Sequence, residues 1–256
     1  VDRLRSAKAL SELAHCDLVI EAIVEKLEVK QAVFKQLEDV VRPEAVLATN
    51  TSSLSVTAIA SALKHPERFV GYHYFNPVPL MKVVEVIAGL RTDPKVCALL
   101  DTHARCTGHT PVHAQDTPGF IVNHAGRAYG TEALRIISEG ITDFATVDRI
   151  LRDQVGFKLG PFELLDLTAL DVSHPVMESI YRQYYDEARY RPSVITAQRL
   201  AGVRSRCFSP LGEATMRALV SVAKKPGDKA LEVTPWGPNS DAIARVSAER
   251  PPLAAA

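Results

Sequence analysis

The stretch GYHYFNPVPLMKVVEV, residues 71–86, decides how the rest of the sequence is interpreted. It opens as an apolar strand-like run that carries His73, passes through Asn-Pro, and enters a second apolar run that carries Glu85. A carboxylate inside an apolar strand is costly to bury unless another group pairs with it. His73 is the candidate partner, so we expect these two side chains to meet.

Apolar runs of strand length recur through the first part of the chain, at residues 17–24, 45–51, 68–75 and 82–88. Longer amphipathic segments separate the first three runs, and this βαβ rhythm predicts parallel strands. Helices are expected in KLEVKQAVFKQLEDVV, SVTAIASAL and DPKVCALLDTHARCTG, and a last strand in TPVHAQ. The third helix has Asp93 as its N-cap and Gly108 as its stop signal.

Strand-like runs give way to helical segments after DTPGFIV, residues 116–122. The pattern predicts an α/β protein in which a parallel sheet, over residues 1–114, is followed by an all-helical C-terminal domain over residues 115–205. Residues 206–256 form a divergent tail, with one short helix near 213–224 and a Pro/Ala-rich end that we expect to be disordered.

Composition excludes several classes of function. With 256 residues, 46% of them hydrophobic, the chain is able to bury a core. Thirty Lys and Arg balance thirty Asp and Glu, so no basic field favours nucleic acid, and the longest apolar runs are too short to span a membrane.

No metal site is assigned. The cysteines lack paired spacing, which favours reduced thiols in a cytoplasmic protein: Cys16, Cys97, Cys106 and Cys207.

Polar side chains follow the strand-like runs where apolar neighbours surround them. TNTSSL contributes Asn50 and Ser52 after one run, His73 ends another, and DTPGFIVN ends in Asn123. Ligands of open α/β sheets bind at the carboxyl ends of strands. We therefore expect these side chains to converge on one site.

Five blocks in order carry a family resemblance: DLVIEAIVE, TNTSSL, HYFNPVPLMKVVEV, DTPGFIVN and GPFELLDLTALD. Together they resemble the NAD-dependent 3-hydroxyacyl-CoA dehydrogenases, including the 3-hydroxybutyryl-CoA dehydrogenases. The resemblance covers roughly residues 1–203. It implies a partial Rossmann-type NAD-binding domain, NAD as cofactor, an acyl-CoA substrate and a homodimer formed through the helical domain.

The resemblance also assigns catalytic roles. It makes His73 the base that takes the proton from the 3-hydroxyl group, with Glu85 orienting and charging the imidazole. It places Ser52 near the substrate 3-oxygen, Asn123 where it positions substrate and histidine, and Asn76 beside the histidine. The alternatives are a structural ion pair for His73 and Glu85, helix caps for Ser52 and Asn123, and a turn residue for Asn76.

For the cofactor, the resemblance places Glu25 and Lys30 around the ribose and nicotinamide, with Asn50 and Ser52 in the same pocket. These two charged residues lie on the loop after DLVIEAIV and at the start of the next helix. The alternatives are a helix-dipole partner for Glu25 and a solvated surface charge for Lys30.

The sequence departs from the family pattern at two places. It contains no G-x-G-x-x-G turn, so we expect the first βαβ unit, with most of the adenosine half of the cofactor site, to be missing. AGVRSRCFSPLGEATM begins like the family's closing segment and then diverges.

Three hypotheses for function follow. The first is oxidation of (S)-3-hydroxyacyl-CoA to 3-oxoacyl-CoA with NAD. The second is a truncated homologue, weakly active or inactive, that binds CoA esters or only associates through its helical domain. The third, a hydroxyacid dehydrogenase of the same architecture with a catalytic lysine, is disfavoured because His73 and Glu85 are both present.

Overall fold

The computed structural model describes residues 5–202 and Phe208. The described chain forms two compact units, the first ending at Ile121 and the second beginning at Val122. Apart from Phe208, the predicted tail and its short helix lie outside the described residues. Among the described helices, none has both the length and the apolar character that crossing a membrane requires.

A single sheet of five strands forms the centre of the first unit. The strands are β1 Leu18–Glu21, β2 Val46–Thr49, β3 Phe69–Tyr74, β4 Val83–Ala88 and β5 Thr110–Gln115. They lie side by side in chain order. Strands β1, β2 and β3 run parallel to one another, and β4 runs parallel to β5.

The pairing of β3 with β4 is antiparallel, so the predicted parallel arrangement holds for the other three strand pairs but not for this one. Residues 75–82 join these strands without a helix, whereas a parallel pair needs a crossover of about a dozen residues or more. The sheet is otherwise parallel, so the predicted α/β class is confirmed. The antiparallel register sets His73 directly opposite Glu85.

Three α-helices cover the sheet, α1 Leu27–Val40, α2 Val56–Ala60 and α3 Pro94–Cys106, with 3-10 turns at Leu10–Leu13 and Pro66–Arg68. Helix α3 begins as predicted, because the Asp93 side chain accepts a hydrogen bond from the Lys95 amide at 2.8 Å. It ends before Gly108, whose φ of 78° suits glycine. Helix α2 packs closely on β3, where a Cβ at Gly71 would lie 2.7 Å from Val56 Cγ2.

Apolar side chains fill both faces of the sheet. One face packs against α1 and α2, and its buried core includes Phe34, Leu37, Leu47, Ile59 and Phe69. The other packs against α3, with Val70, Tyr72, Val84, Val86 and Leu100 in its core. Burying one such Leu or Phe stabilises the fold by about 1.5–3 kcal/mol, so these two cores hold the strand ends that carry the site.

The second unit is helical throughout its described residues. Its helices are α4 Val122–Ala125, α5 Arg127–Ser138, α6 Phe144–Asp153, α7 Pro161–Thr168, α8 Leu170–Gln183 and α9 Val194–Ala201, with a 3-10 turn at Ala188–Tyr190. Helices α7 and α8 are separated at Ala169, which has a φ of 62°. Pro175 therefore lies inside α8.

Candidate active site

His73 and Glu85 form a buried pair across β3 and β4. The distance from His73 Nδ1 to Glu85 Oε2 is 2.7 Å, and the residues are 4% and 1% exposed. Directly opposite residues of an antiparallel pair bring their side chains together on one face. The antiparallel register therefore supplies the contact that the sequence predicts between these two residues.

The second carboxylate oxygen of Glu85 is also used. Its Oε1 accepts a hydrogen bond from the Ile121 amide at 2.9 Å. The aromatic rings of Phe75 and Phe120 lie 4.6 Å and 5.8 Å from the imidazole and form an apolar wall beside it. Because an ionised carboxylate can only accept, Nδ1 of His73 donates its hydrogen to Glu85, and the other ring nitrogen, Nε2, is able to exchange a proton.

A second buried ionic cluster lies where β1 and β2 end. Glu21 is the last residue of β1, and its Oε1 accepts hydrogen bonds from Lys30 Nζ and the Ile23 amide, each at 2.6 Å. Its Oε2 accepts from Thr49 Oγ1, at the end of β2, at 2.7 Å. Lys30 is only 1% exposed, so the alternative of a solvated surface charge is wrong.

Glu25 connects this cluster to the loop after β2. Its Oε2 lies 3.3 Å from Lys30 Nζ, and its Oε1 accepts from Thr51 Oγ1 at 2.5 Å and from the Ser52 and Ser53 amides at 2.9 and 3.0 Å. Burial raises the pKa of Glu25, but the Lys30 charge and these hydrogen bonds outweigh burial and hold it below its ordinary value. The contacts join Glu25 to Lys30 of α1 and to the loop after β2.

Asn50 connects β2 to the strand of the histidine. Its Oδ1 accepts a hydrogen bond from the Tyr74 amide at 2.8 Å, one residue beyond His73. The Asn50 amide in turn donates to the Glu21 carbonyl at 2.8 Å. The carboxyl ends of β1, β2 and β3 are therefore tied together, as expected for the site of an open α/β sheet.

Ser52 lies in the turn between β2 and α2 and does not cap the helix. The N-cap of α2 is Ser55, whose hydroxyl accepts from the Ala58 amide at 3.1 Å. Asn123 lies within α4 rather than before it. Its Oδ1 is 3.5 Å from Arg127 Nη2. Neither residue occupies the N-cap position that the alternative interpretation proposes.

The structure brings most of the predicted site residues to one edge of the first unit. The residues at or beside the strand ends there are Glu25, Lys30, Asn50, Ser52, His73 and Glu85. Asn76 is exposed on the loop after β3 and precedes Pro77 with a cis peptide bond. Asn123 belongs to the second unit, and its predicted place beside the substrate stays a prediction.

Sequence reasoning missed three groups. Glu21 interrupts an apolar run as Glu85 does, and the same argument about buried carboxylates would have found it. Asp116 anchors the start of α2, accepting from the Val56 and Thr57 amides at 2.8 and 2.7 Å. The Ile121 amide left no signal in the sequence, because a backbone donor does not depend on residue type.

Comparison with family models identifies both units. The model described as 3-hydroxyacyl-CoA dehydrogenase, NAD binding domain, matches residues 1–117, and the model of the C-terminal domain of the same family matches residues 119–220. A probable 3-hydroxybutyryl-CoA dehydrogenase of Deinococcus radiodurans is 39% identical over 191 residues, 75% of this chain and 68% of that protein. The chain belongs to the 3-hydroxyacyl-CoA dehydrogenase family.

A second relative and a solved structure support membership of the 3-hydroxyacyl-CoA dehydrogenase family. The 3-hydroxyadipyl-CoA dehydrogenase of Escherichia coli is 44% identical over 216 residues, 84% of this chain and 46% of that protein, so the chain spans about half of its length. A crystal structure of (S)-3-hydroxybutyryl-CoA dehydrogenase from Ralstonia eutropha superposes with a TM-score of 0.73 at 32% identity, covering 77% of this chain and 69% of that one. The predicted family and fold are confirmed.

The NAD binding domain model also confirms NAD as the cofactor of this family. The side chains at the ends of β1 and β2 fit the ribose and nicotinamide half of such a molecule, which carries hydroxyl groups and a carboxamide. Glu25 supplies a carboxylate held in its ionised form, Lys30 an ammonium, and Asn50 and Ser52 an amide and a hydroxyl. The carboxylate, amide and hydroxyl offer both acceptors and donors to those groups, and the buried Lys30 ammonium places a positive charge next to Glu25.

Proposed function

We propose that this protein oxidises (S)-3-hydroxyacyl-CoA to 3-oxoacyl-CoA, with NAD accepting the hydride from C3 when it is bound. The observation that carries the proposal is the buried contact of 2.7 Å between His73 Nδ1 and Glu85 Oε2. With Nδ1 donating to the carboxylate, Nε2 takes the proton of the 3-hydroxyl group. General bases of this kind contribute about 10²–10⁴-fold to the rate.

Glu85 acts on the imidazole in two ways. Its negative charge stabilises the imidazolium that forms when the proton arrives, and its position fixes the ring. The carboxylate is itself held by the Ile121 amide at 2.9 Å, so its orientation does not depend on the histidine alone. The phenylalanine rings beside the imidazole exclude water, which strengthens this electrostatic interaction.

The proposal assigns the substrate 3-oxygen to hydroxyl and amide donors. Ser52 binds the developing carbonyl oxygen, Asn123 positions the substrate and the histidine, and Asn76 lies beside the histidine. Such donors stabilise negative charge on the oxygen without themselves reacting with hydride. Support for Ser52 comes from the Glu25 carboxylate, which holds its backbone amide at 2.9 Å in the turn after β2.

The cofactor is assigned to Glu25, Lys30, Asn50 and Ser52. Glu25, whose pKa lies below its ordinary value of 4.5, is an ionised acceptor for ribose hydroxyl groups at neutral pH. We further propose the domain ranges 1–114 and 115–205, supported by the change from strands to helices after β5, which ends at Gln115.

We also propose a homodimer formed through the helical unit and a cytoplasmic location. Exposed apolar side chains on α6, α7 and α8 support the dimer: Ile150, Leu164, Leu167 and Val172. The free thiols of Cys16, Cys97 and Cys106 support a reducing compartment, and Cys207 lies outside the described residues.

The test is a steady-state assay of NADH consumption with acetoacetyl-CoA. It uses the chain by itself and the chain preceded by a strand, G-x-G-x-x-G turn and helix of the kind that opens family members. We expect turnover at least in the extended form, and we expect His73→Gln to lower it by about two decades or more. Folded protein that turns over in neither form would contradict the proposal and favour the inactive homologue.

His113 provides a matched control for His73. It lies on β5, and its Nε2 is 2.8 Å from Asp101 Oδ2, but the pair is at the surface. His113→Gln removes an imidazole next to a carboxylate without touching the proposed site, so its turnover should equal that of the wild type. A loss as large as that of His73→Gln would show that the assay reports damage to the fold.

A further inference from the structure

One buried ionised side chain has no part in the proposed reaction. The Glu21 side chain is 2% exposed, lies at the end of β1, and contacts Lys30, Thr49 and the Ile23 amide. A carboxylate is costly to bury, and an apolar residue at this position would stabilise the sheet at least as well. The position therefore calls for a function that needs the charge.

The contacts of Glu21 continue into the site through hydrogen bonds and one ion pair. Lys30 Nζ lies 2.6 Å from Glu21 Oε1 and 3.3 Å from Glu25 Oε2. Glu25 Oε1 then accepts from the amides of Ser52 and Ser53. We propose that Glu21 is a positioning residue, which fixes Lys30 and, through Lys30 and Glu25, the loop that carries Ser52.

The charges explain why two carboxylates share one ammonium. Glu21 makes the shorter contact with Lys30, at the end of β1, and the longer contact of Lys30 is with Oε2 of Glu25. Oε1 of Glu25 is thereby left for the loop amides. Without the Glu21 charge, the buried ammonium would be paired with Glu25 alone and would draw that carboxylate away from Ser52 and Ser53.

This inference rests on the proposed function only in assigning Lys30, Glu25 and Ser52 to the cofactor and substrate. The positioning itself is testable without turnover. Backbone amide resonances report hydrogen bonding directly, so the first measurement is the ¹H–¹⁵N spectrum of the full chain with Glu21→Gln. We expect the Ser52 and Ser53 amides to shift, although both are more than thirty positions away along the chain.

Glu38→Gln is the matched control. Glu38 is another buried carboxylate of the same unit, and it accepts from the Lys64 and His65 amides at 2.9 and 2.7 Å. Its replacement removes one negative charge, as Glu21→Gln does, and it lies on α1, the helix that carries Lys30. It should move the amides of its own two partners and leave those of Ser52 and Ser53 in place.

The kinetic measurement uses the form of the protein that turns over. For Glu21→Gln we expect kcat/KM for NAD to fall by about ten- to a hundred-fold, mainly through KM, because displaced binding groups weaken the site. Glu38→Gln should keep the wild-type KM. If the wild type has no turnover but the Ser52 and Ser53 amides respond, the positioning role stands and the proposed reaction alone fails.

A double-variant cycle controls for general damage to the fold, because Glu21→Gln alone takes one of its two carboxylates from the buried Lys30 ammonium. Lys30→Met removes the ammonium, and Glu21→Gln in that background should leave the Ser52 and Ser53 amides unchanged, because the connection passes through Lys30. Equal shifts with and without Lys30 would overturn the relay. Unchanged Ser52 and Ser53 amides in a folded Glu21→Gln single variant would overturn it as well.

Discussion

Two buried ionic clusters of the first unit are built in different ways. His73 and Glu85 are neighbours because antiparallel strands place them opposite each other, and one hydrogen bond of 2.7 Å joins them. The other cluster collects Glu21 from a strand, Glu25 from a loop and Lys30 from a helix. Its parts meet only after three different elements have packed.

This difference separates chemistry from binding. A strand pair fixes the distance between two side chains without help from the rest of the unit, which suits a proton transfer that requires a constant geometry. A cluster assembled from several elements couples the end of a strand to a loop 30 residues away, as Glu21 is coupled to Thr51 and its neighbours. Such a cluster suits the positioning of a larger ligand.

The largest expected effect comes from breaking the strand pair. His73→Gln should lower kcat by about two decades or more while leaving the dissociation constant for NADH within about two-fold, because the base acts in the transition state. Stopped-flow or steady-state rates and NADH fluorescence titration measure the two quantities separately. Unchanged kcat, or a loss carried by NADH binding, would contradict the assignment of His73 as the base.

The next effect comes from replacing the carboxylate by an amide of the same shape. Glu85 accepts from His73 and from the Ile121 amide, one with each oxygen, and a glutamine has only one oxygen to offer. Either the imidazole or the loop amide must then face an NH₂ group. Glu85→Gln should lower kcat by about one to two decades, and a wild-type rate in this variant would rule out the dyad.

The cluster of Glu21, Glu25 and Lys30 should show a smaller change in activity, and the change should appear in KM and not in kcat. Glu25→Gln keeps one acceptor oxygen but loses the charge next to Lys30. We expect KM for NAD to rise about ten-fold with kcat changed by less than about three-fold. If kcat falls as it does for Glu85→Gln, the two clusters do not divide chemistry from binding.

The sequence predicted the strand pair better than the second cluster, for a physical reason. When two apolar runs are separated by a short loop, a carboxylate in one and an imidazole in the other can be buried only if the two side chains pair with each other. Glu21 and Lys30 lie on different elements, and burial of the lysine depends on how α1 packs on the sheet. That packing is a tertiary property, which the spacing of residues along the chain does not contain.

The strands themselves were predicted in number and place, with ends that differ by at most three residues. The run at 17–24 shows why, because β1 stops at Glu21 and the remaining apolar residues continue as a loop. The side chain of Glu21 binds the Ile23 amide, which turns the backbone away from the sheet. A polar contact, and not a loss of apolar character, ends this strand.

The smallest effect concerns the pH dependence of stability. As the pH rises, Glu25 should add to the stability of the first unit, whereas Asp148 should lower that of the second. Glu25 has a pKa below its ordinary value of 4.5 when folded. Its stabilising contribution is complete above that ordinary value and is lost as the pH falls through the folded value. The first unit should therefore gain stability from Glu25 as the pH rises from acid toward neutral.

Asp148 in the helical unit should act in the opposite direction. Burial raises its pKa to about 6, although the Phe162 and Glu163 amides donate to its two oxygens at 2.9 and 3.1 Å. Its contribution is therefore complete below the ordinary value of 3.8 and is lost as the pH rises through about 6. A shift of this size corresponds to about 1–3 kcal/mol.

Asp148→Asn isolates that contribution. The asparagine does not titrate, so the difference in unfolding free energy between wild type and variant should change by about 1–3 kcal/mol between pH 4 and pH 6.5, to the disadvantage of the wild type at the higher pH. Urea unfolding followed by circular dichroism at each pH measures it. Glu25→Gln is the comparison, since its difference from the wild type should change below pH 4.5 and favour the wild type as the pH rises. Parallel curves for Asp148→Asn and the wild type would show that this carboxyl group has the same pKa in the folded and unfolded protein, so that its two backbone hydrogen bonds balance its burial.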